Sequence, residues 1–371
     1  MTTLLVTNDF PPTVGGIQSY LRDFVDEVVR RGGAGSIVVL ASVQDAEVVR
    51  AWDAAQPYEV IRYPRKVILP TPALKREMVR IIKERGIDTV WFGAAAPLAI
   101  MGKAAKQAGA RRVVATTHGH EVGWAKLPVA RGVLRQIGRH ADVVTYISRY
   151  TIDRLRPVIG DGLEYVNLPS GVDTDFFAPA TAAGRAATRK WLGVGDAPLV
   201  VCSSRLVARK GQDVLIGALP GIRRYASGAH LVIVGEGPYE ARLRRLAAAV
   251  PGVAFTGRVP RETLRDIVAA ADVFAMPART RLGGLDVEGL GIVYLEAQAC
   301  GVPVVAGQSG GAPETVTDGT GVVVDGRDTA AVASAIVRLL DDDTSHAGRA
   351  HVQQEFSWDV LGDRLYGALT G

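Results

Sequence analysis

Two carboxylates eight residues apart, Glu288 and Glu296, are the side chains of this sequence best placed for chemistry. Gly289 and Gly291 follow the first carboxylate, and the second lies about one and a half turns into a predicted helix. Free N–H groups at the start of such a helix can hold phosphate, and the carboxylates can accept hydrogen bonds from sugar hydroxyls. Surface glutamates on an amphipathic helix would have the same spacing, but the glycines and the small residues up to Gly301 favour a nucleotide-sugar site.

Arg205 and Lys210 provide the positive charge that a diphosphate needs. Both follow a predicted strand, and Gly211 then begins a predicted helix. An arginine fork and a lysine charge together suit a diphosphate, and they would neutralise the charge that develops on a leaving group. Solvated surface cations are the alternative, which the immediate start of the helix makes less favourable.

Two further strand ends carry candidate nucleotide contacts. Gly235 and Gly237 match the first two glycines of a dinucleotide fingerprint, but Glu240 occupies the third position, so the match is weak evidence for NAD. Arg258 and Val259 follow another predicted strand, where backbone groups can meet the edge of a nucleobase.

The N-terminal half contributes a glycine-rich loop and a histidine. Gly15 and Gly16 separate a strand from a helix, so the backbone can approach an anion there. Gln18 lies just inside the helix and is a candidate for binding an acceptor hydroxyl, although an exposed glutamine fits nearly as well. His118 follows a predicted strand and can bind a sugar hydroxyl or stabilise charge at a transition state, whereas His120 is interpreted as an ordinary loop histidine.

We expect no metal ion at this site. Asp173 and Asp175 have the Asp-X-Asp spacing of a known metal-binding motif, but they lie in a predicted turn, where aspartate forms local hydrogen bonds. Arg205 and Lys210 already supply the positive charge that a divalent ion would bring.

The composition is typical of a soluble globular protein with two domains. The chain has 371 residues, of which 48% are hydrophobic and 22% charged, and it has neither an apolar run long enough to span a membrane nor a recognisable signal peptide. Residues 1–170 hold 23 Lys and Arg against 16 Asp and Glu, whereas residues 171–371 hold 20 against 22. The basic excess predicts an anionic partner for the first half, but no nucleic-acid-binding motif accompanies it.

Strands and helices alternate along the chain, which predicts an α/β fold of two doubly wound domains facing each other. The first set of predicted strands is Leu4–Thr7, Ser36–Ala41, Thr89–Phe92, Arg112–Thr116 and Asp142–Ile147. The second set is Pro198–Ser203, His230–Gly235, Val253–Thr256, Val273–Ala275 and Val302–Ala306. Proline and glycine cluster near Leu168–Val172, which marks the predicted boundary. Ligands of such sheets bind at the carboxyl ends of the strands, so we expect the site in the cleft between the domains.

Taken together, these sequence motifs resemble those of the retaining glycosyltransferases of family four, which have the two-domain GT-B fold. The resemblance covers nearly the whole chain. Its pieces are Gly15-Gly16, His118, the turn at 170–176, Arg205 with Lys210, Gly235-Glu-Gly, and Glu288 with Glu296. It implies an N-terminal acceptor-side domain of residues 1–169 with a C-terminal crossover segment 356–371, and a nucleotide-sugar-binding domain of residues 170–355.

Two segments, from Asn8 to Phe24 and from Asp286 to Ala297, more closely resemble the actinobacterial phosphatidylinositol monomannoside mannosyltransferases. Those enzymes transfer α-mannose from GDP-mannose to the inositol 6-position of a glycolipid. The implied donor contacts are Gly16, Arg205, Lys210, Gly235, Arg258, Val259, Glu288, Gly289, Leu290, Gly291, Ile292 and Glu296, and the implied acceptor contact is Gln18. The resemblance implies that Glu296 binds the ribose, that Glu288 and His118 lie by the mannose, and that Arg205 and Lys210 hold the diphosphate. It also implies that Val259 contacts the guanine and that Gly16 meets the phosphates across the cleft.

The resemblance also implies a mechanism without a covalent intermediate. Retention would follow from substitution on one face of the sugar through an oxocarbenium-like ion pair. The departing β-phosphate oxygen, held by Arg205 and Lys210, would take the proton of the attacking hydroxyl. The implied catalytic residues are His118, Glu288, Arg205 and Lys210, which act by positioning and electrostatics, with no metal or other cofactor.

Two basic segments suggest an anionic membrane as the partner of the first half. Lys75–Arg85 and Trp124–Arg135 carry cations along predicted amphipathic helices, which can lie on an anionic leaflet. Solvated helix faces are an equal alternative. The prediction is a cytoplasmic enzyme peripherally associated with the inner face of the cell membrane, and its oligomeric state is left open.

Three alternative functions stay open at this point. A retaining glycosyltransferase of the same fold that acts on a soluble sugar or an inositol phosphate would share the donor chemistry. A nucleotide-sugar 2-epimerase of the same fold would process the donor without transferring the sugar. An NAD-linked oxidoreductase is the third, and Glu240 argues against it.

Overall fold

The structure is a computed structural model that describes residues 1–13, 15–43, 46–341 and 345–371. Val14, in the predicted glycine-rich loop, lies outside the described residues. Two compact units divide the chain: residues 1–170 with 358–371 form the N-terminal unit, and residues 171–357 form the C-terminal unit. The predicted boundaries, after residues 169 and 355, lie one and two residues earlier.

The N-terminal unit is built on a seven-stranded parallel sheet. Its strands are β1 (Thr3–Thr7), β2 (Ile37–Ser42), β3 (Glu59–Tyr63), β4 (Thr89–Phe92), β5 (Arg112–Thr117), β6 (Val143–Tyr146) and β7 (Glu164–Asn167). Its helices are α1 (Gly16–Gly32), α2 (Ala46–Ala54), α3 (Pro72–Arg85), α4 (Gly102–Gln107), α5 (Glu121–Trp124), α6 (Pro128–Gly138) and α7 (Arg149–Ile159), and α15 (Trp358–Thr370) joins them from the end of the chain. The strand order is β3-β2-β1-β4-β5-β6-β7, so it reverses between β1 and β4.

Helices cover both faces of this sheet, which is why its central strands are apolar throughout. All five residues of β1 are buried, and α1 packs on the sheet through Leu21 and Phe24. The C-terminal helix α15 is fixed to the same sheet, because the Thr89 hydroxyl donates to Leu369 O at 2.9 Å and Arg112 Nε donates to Ala368 O at 2.7 Å. The last helix of the chain therefore belongs to the core of the first unit.

The C-terminal unit is built on a six-stranded parallel sheet. Its strands are β8 (Leu199–Ser203), β9 (His230–Val234), β10 (Val253–Gly257), β11 (Val273–Met276), β12 (Val304–Gly307) and β13 (Gly321–Val324). Its helices are α8 (Ala182–Trp191), α9 (Gln212–Arg223), α10 (Glu240–Ala247), α11 (Arg261–Ala269), α12 (Ile292–Ala299), α13 (Thr329–Leu340) and α14 (Ser345–Glu355). The strand order β10-β9-β8-β11-β12-β13 reverses between β8 and β11, where Val200 lies opposite Val273. Among the described helices of both units, none is long and apolar enough to cross a membrane.

Candidate functional site

Most of the predicted site residues lie at the carboxyl ends of four neighbouring strands in the C-terminal unit. Arg205 and Lys210 follow β8, Gly235 follows β9, Arg258 and Val259 follow β10, and Glu288 to Ile292 follow β11. Because the strand order reverses between β8 and β11, the connections that leave these strands diverge and form a crevice at this edge. The structure thus brings the predicted donor contacts from Arg205 to Ile292 to one edge of one sheet, whereas Gly16 belongs to the N-terminal unit.

Lys210 and Glu288 form a buried ion pair. Lys210 Nζ lies 2.7 Å from Glu288 Oε2, and the two residues are only 9% and 7% exposed. The backbone of Glu288 is also fixed, since its N–H donates to Ser309 Oγ at 3.2 Å. The sequence prediction treated the lysine and the glutamate as separate contacts to diphosphate and sugar. The structure shows instead that each neutralises the other before any ligand binds.

Arg205 and Arg209 supply further positive charge beside this pair. The exposed Arg205 side chain has no ion-pair partner within the described residues, so its charge is available to an anion. Arg209, which the sequence analysis missed, lies 3.9 Å from Glu288 Oε2 and 3.3 Å from Asp286 Oδ1. Its position directly before Lys210 is the signal that would have identified it.

Two glycines allow the backbone to pack tightly around the crevice. Gly235 has a φ of +122°, and a Cβ there would lie 2.3 Å from Ser204 O, so a larger residue would displace the loop after β8. Gly310, which the sequence analysis did not single out, has a φ of +56°, and its Cβ would lie 1.8 Å from Glu288 O. The loop after β12 therefore positions the carboxylate that pairs with Lys210.

The helix that carries Glu296 starts at the crevice. Gly291 precedes its first residue, Ile292, and places the free N–H groups of the first turn at the carboxyl edge of the sheet. Gly289 and Leu290 connect this start to Glu288, and Leu290 is buried with 8% exposure. This geometry fits the predicted combination of an anion-binding helix start and a preceding carboxylate.

The carboxyl group of Glu296 has a pKa well above the usual value for glutamate. Burial raises its pKa to about 7, an effect that the nearby Arg261 guanidinium opposes. Its side chain has no hydrogen-bond partner among the described residues. Near neutral pH this group is therefore divided between its charged and neutral forms, and it is free to bind a ligand. Arg261, the residue that favours its charged form, was missed by the sequence analysis.

The strand end predicted to meet a nucleobase has one exposed and one half-buried residue. Arg258 directly follows β10 and is exposed, while Val259 packs partly against the core of the unit. They lie two strands away from the reversal point, at the edge of the sheet. The role of both residues as base contacts stays a prediction.

In the N-terminal unit, the loop after β1 holds Gly16 and Gln18 at the start of α1. Gly16 is exposed, and a Cβ there would have no atom within 4 Å, so the position has open space beside it. Gln18 Nε2 donates to Asp9 Oδ1 at 3.0 Å. The amide predicted to bind an acceptor hydroxyl thus already donates to Asp9, an acidic residue to which no role was assigned from the sequence.

His118 follows β5 and is held on three sides. Its Nε2 lies 2.7 Å from Gly93 O, its backbone N–H donates to Glu121 Oε2 at 3.0 Å, and the Tyr20 ring packs edge-on at 5.0 Å. Because a carbonyl can only accept, Nε2 carries the proton. Burial lowers the pKa of His118, while the Glu121 carboxylate opposes that shift. The neutral ring therefore keeps Nδ1 as a hydrogen-bond acceptor for a ligand hydroxyl.

The Asp-X-Asp segment forms a local turn, as we interpreted it from the sequence. Asp173 Oδ1 accepts hydrogen bonds from the N–H groups of Asp175, at 3.2 Å, and Phe176, at 2.9 Å. This carboxylate is therefore used to shape the chain. In the part of the chain that the structure describes, no three His, Cys, Asp or Glu side chains cluster in a way that could hold a metal.

Family models match both halves of the chain. The model described as Glycosyltransferase Family 4 matches residues 14–176, and the model described as Glycosyl transferases group 1 matches residues 197–342. The GDP-mannose-dependent monoacylated alpha-(1-6)-phosphatidylinositol monomannoside mannosyltransferase of Corynebacterium glutamicum is 57% identical over 370 residues, which cover 98% of this chain and 96% of that protein. The chain belongs to glycosyltransferase family four.

Within family four, the chain groups with the phosphatidylinositol monomannoside mannosyltransferases. The Mycolicibacterium smegmatis relative named as GDP-mannose-dependent alpha-(1-6)-phosphatidylinositol monomannoside mannosyltransferase is 54% identical over 378 residues, covering 99% of this chain and 98% of that protein. These matches confirm the family resemblance found in the sequence.

Solved structures confirm the GT-B fold of this family-four chain. HepE of Anabaena, solved with UDP and glucose, has a TM-score of 0.78 at 21% identity and covers 100% of both chains. A sucrose-phosphate synthase of Thermosynechococcus elongatus has a TM-score of 0.74 at 22% identity, with 99% of this chain and 98% of that one covered. At such identities the likeness concerns the fold alone.

Proposed function

We propose that this family-four glycosyltransferase is a retaining α-mannosyltransferase that moves mannose from GDP-mannose to a phosphatidylinositol monomannoside. The observation that carries the proposal is the 52–57% identity, over nearly the full chain, to relatives named for that donor and that acceptor. The crevice of the C-terminal unit supports the proposal, because three kinds of group meet there at one edge of a sheet. They are cations, the free N–H groups at the start of a helix, and a carboxyl group that can accept hydrogen bonds from a ligand.

In this proposal, each group of the crevice recognises one part of the donor. The carboxylate of Glu296 accepts hydrogen bonds from ribose hydroxyls, and the diphosphate lies at Arg205 and the start of α12. When the diphosphate enters, it competes with Glu288 for the ammonium group of Lys210. Glu288 is then free to accept a hydrogen bond from the mannose. Binding of the donor and opening of the ion pair would therefore be coupled.

The transfer itself breaks the bond between the anomeric carbon and the β-phosphate oxygen. The cations stabilise the charge that develops on this oxygen, so no divalent ion is needed in the proposed mechanism. The acceptor hydroxyl attacks from the face that the phosphate leaves and gives its proton to the departing β-phosphate oxygen. The products are GDP and an α-mannoside with retained configuration, and no bond to a side chain forms.

The proposed reaction is tested by a panel of four donors, GDP-mannose, UDP-glucose, UDP-N-acetylglucosamine and ADP-glucose, with and without phosphatidylinositol monomannoside. We expect transfer with GDP-mannose and the glycolipid only, unchanged by a metal chelator. Epimerisation of a donor without acceptor, or transfer only to water-soluble sugars, would identify one of the alternative functions. Loss of activity on chelation, with recovery on adding manganese, would contradict the metal-free mechanism.

The pKa of Glu296 predicts a pH-dependent affinity for GDP. Only the ionised carboxylate accepts hydrogen bonds at both oxygens, so affinity should fall as the pH drops through about 7. At pH 8 the variant E296Q should bind GDP about 10- to 150-fold more weakly, because hydrogen bonds to a charged group contribute roughly 1.5–3 kcal/mol. Titration calorimetry between pH 6 and 8 measures both effects, since the pH dependence should disappear in E296Q.

The melting temperature of E296Q provides a control for the integrity of the fold. Burial raises the pKa of Glu296 from 4.5 to about 7, so ionisation of this group destabilises the folded state. The penalty is complete above about pH 7 and is lost progressively as the pH falls from about 7 to 4.5. E296Q should therefore raise the melting temperature of the ligand-free protein at pH 8 but not at pH 5. A lower melting temperature at both values would show a packing defect and would remove the basis of this assignment.

We also propose that the N-terminal unit binds an anionic membrane surface through α6. Leu127, directly before the helix, is 61% exposed, and Val129, within it, is 86% exposed. The exposed Arg131 and Arg135 follow on the same helix. No acidic residue occurs between residues 122 and 141, so these cations face no local carboxylate. Apolar side chains flanked by unopposed cations are typical of interfacial helices.

The other basic helix, α3, is less suited to a membrane. Arg80 pairs with Glu77 and Glu84, and Arg85 pairs with Glu59 at 2.9 Å. Two of the five cations of α3 are thus neutralised within the protein, and none of the large apolar side chains of this helix is exposed. The membrane proposal therefore rests on α6.

Replacing the apolar residues of this surface is expected to weaken membrane binding. The double variant L127S/V129S should lower co-sedimentation with phosphatidylinositol-containing vesicles by at least about tenfold, because two exposed apolar side chains lose their burial among lipids. Added salt should release the wild type. Trp191, which is 60% exposed in the C-terminal unit, provides the control variant W191S, which should bind like the wild type. Vesicle binding that ignores both anionic lipid and salt would contradict the proposal.

A further inference from the structure

A short hairpin in the C-terminal unit, residues 281–286, has no part in the donor contacts described above. Its ends pair in antiparallel fashion, since Arg281 N donates to Asp286 O at 2.8 Å and their side chains lie 3.4 Å apart. Arg209 holds Asp286 from the loop after β8, at 3.3 Å. We call residues 281–286 the apolar hairpin. Backbone hydrogen bonds and ion pairs fix the base of the hairpin, so its tip is held in a defined position on the surface.

The tip of the apolar hairpin presents two leucines to solvent. Leu282 is 70% exposed and Leu285 is 62% exposed. Leu282 has a φ of +49° and is the single non-glycine residue with positive φ in the described part of the chain. A bulky side chain rarely adopts this backbone conformation, because it destabilises the folded state. Exposure of two apolar side chains to water adds a second unfavourable contribution. Both costs would be offset by a partner that covers the leucines.

The position of the hairpin connects it with the proposed transfer. It leaves the carboxyl end of β11 and leads, two residues after Asp286, into Glu288 of the ion pair. At its base, the exposed Arg327 donates a hydrogen bond to Thr280 O, and its guanidinium has no carboxylate partner within the described residues. An apolar tip above an unpaired cation matches the layers of a lipid surface, with acyl chains beneath anionic headgroups.

We propose that the apolar hairpin inserts into the lipid surface that carries the acceptor. Leu282 and Leu285 lie among the acyl chains, and Arg327 meets anionic headgroups. The insertion brings the glycolipid headgroup to the carboxyl edge of β11, beside Glu288. This inference deepens the proposed function and rests on its lipid acceptor. The charge of Arg327 favours a lipid surface over an apolar partner protein.

The inference is tested by comparing acceptors with and without acyl chains. In the variant L282S/L285S, kcat/KM for phosphatidylinositol monomannoside in phosphatidylcholine vesicles should fall at least about tenfold, while kcat/KM for the deacylated, water-soluble headgroup stays unchanged. The control is L246S, which replaces a leucine 41% exposed at the end of α10, away from the strand ends that carry the site. Its activity with both acceptors should match the wild type. An equal loss with both acceptors, or no loss with either, would overturn the inference.

A fluorescent label gives a second readout that does not depend on catalysis. Cys202 and Cys300 are buried, at 0% and 3% exposure, so the variant L282C offers one accessible thiol for an environment-sensitive dye. Vesicles of phosphatidylcholine and phosphatidylinositol should shift its emission to the blue, and the deacylated headgroup should not. An unshifted emission would refute insertion even if transfer proceeds. Absence of any mannose transfer by the wild type, together with a blue shift, would instead contradict the proposed function alone.

Discussion

Replacing Lys210 with alanine is expected to lower kcat for mannose transfer by about 10²–10³-fold, the usual cost of removing one preorganised electrostatic contact to a leaving group. The same change leaves the buried carboxylate of Glu288 without its partner at 2.7 Å. Breaking a buried pair in this way costs about 3–5 kcal/mol, which corresponds to a fall of roughly 10 °C in the melting temperature of a domain of this size. Steady-state kinetics and thermal unfolding measure the two effects separately.

The double variant K210A/E288Q separates catalysis from folding. It removes both charges, so the penalty for an isolated buried carboxylate disappears and most of the lost stability should return. Activity should not return, because in the proposed mechanism the leaving group still lacks its cation and the mannose lacks its carboxylate. Recovery of activity together with stability would mean that Lys210 acts only as a structural partner of Glu288, and that another cation, such as Arg205, neutralises the diphosphate.

The central strands of both sheets and the edge strand β10 could be predicted from the sequence, but the other three edge strands could not. The predicted runs agree with the central strands to within about two residues, because a strand covered by helices on both faces must be apolar throughout. These three are Glu59–Tyr63, Glu164–Asn167 and Gly321–Val324, edge strands whose residues are mostly half-exposed. An edge strand has fewer apolar neighbours, so charged residues interrupt the apolar pattern of the first two, at Glu59, Arg62 and Glu164. The third strand, Gly321–Val324, carries no charge but is only four residues long.

The positions of the candidate residues were also predictable, whereas their pairing was not. A glycine-rich stretch or a cation after a strand indicates the edge of the sheet at which a residue lies. Nothing in the sequence indicates that Lys210 meets Glu288, 78 positions away, because that contact depends on the register of two loops. The environment of Glu296 is equally non-local, since burial within the folded unit raises its pKa.

A local signal for the surroundings of His118 did exist. Glu121 lies three residues after it, and its Oε2 accepts the N–H groups of both His118 and Gly119 at 3.0 Å. A histidine and a glutamate at this spacing after a strand are consistent with a capped turn. The contact of the imidazole with Gly93 O comes from the neighbouring strand end and required the fold.

Substitution of His118 is the second prediction with a large expected effect. H118A should lower kcat by about 10²-fold with little change in the affinity for GDP, because in the role that the family resemblance implies the neutral imidazole offers Nδ1 as an acceptor to the reacting sugar. Two amide variants test which nitrogen matters. Asparagine places its amide near the position of Nδ1, whereas glutamine reaches the position of Nε2 and can replace only the hydrogen bond to Gly93 O. H118N should therefore be more active than H118Q, and the reverse order would assign His118 a purely structural role.

The pH dependence distinguishes His118 from Glu296. Burial lowers the pKa of His118 below its usual value of 6.5, so kcat should stay constant through neutral pH and fall only in more acidic solution, where protonation of Nδ1 removes the acceptor. The acid limb of kcat/KM should instead lie near pH 7, where free Glu296 titrates before it binds the donor. H118N should abolish the acid limb of kcat and leave that of kcat/KM in place, because the two limbs report different groups in different states of the enzyme. A single limb shared by both parameters and unaffected by H118N would contradict this division.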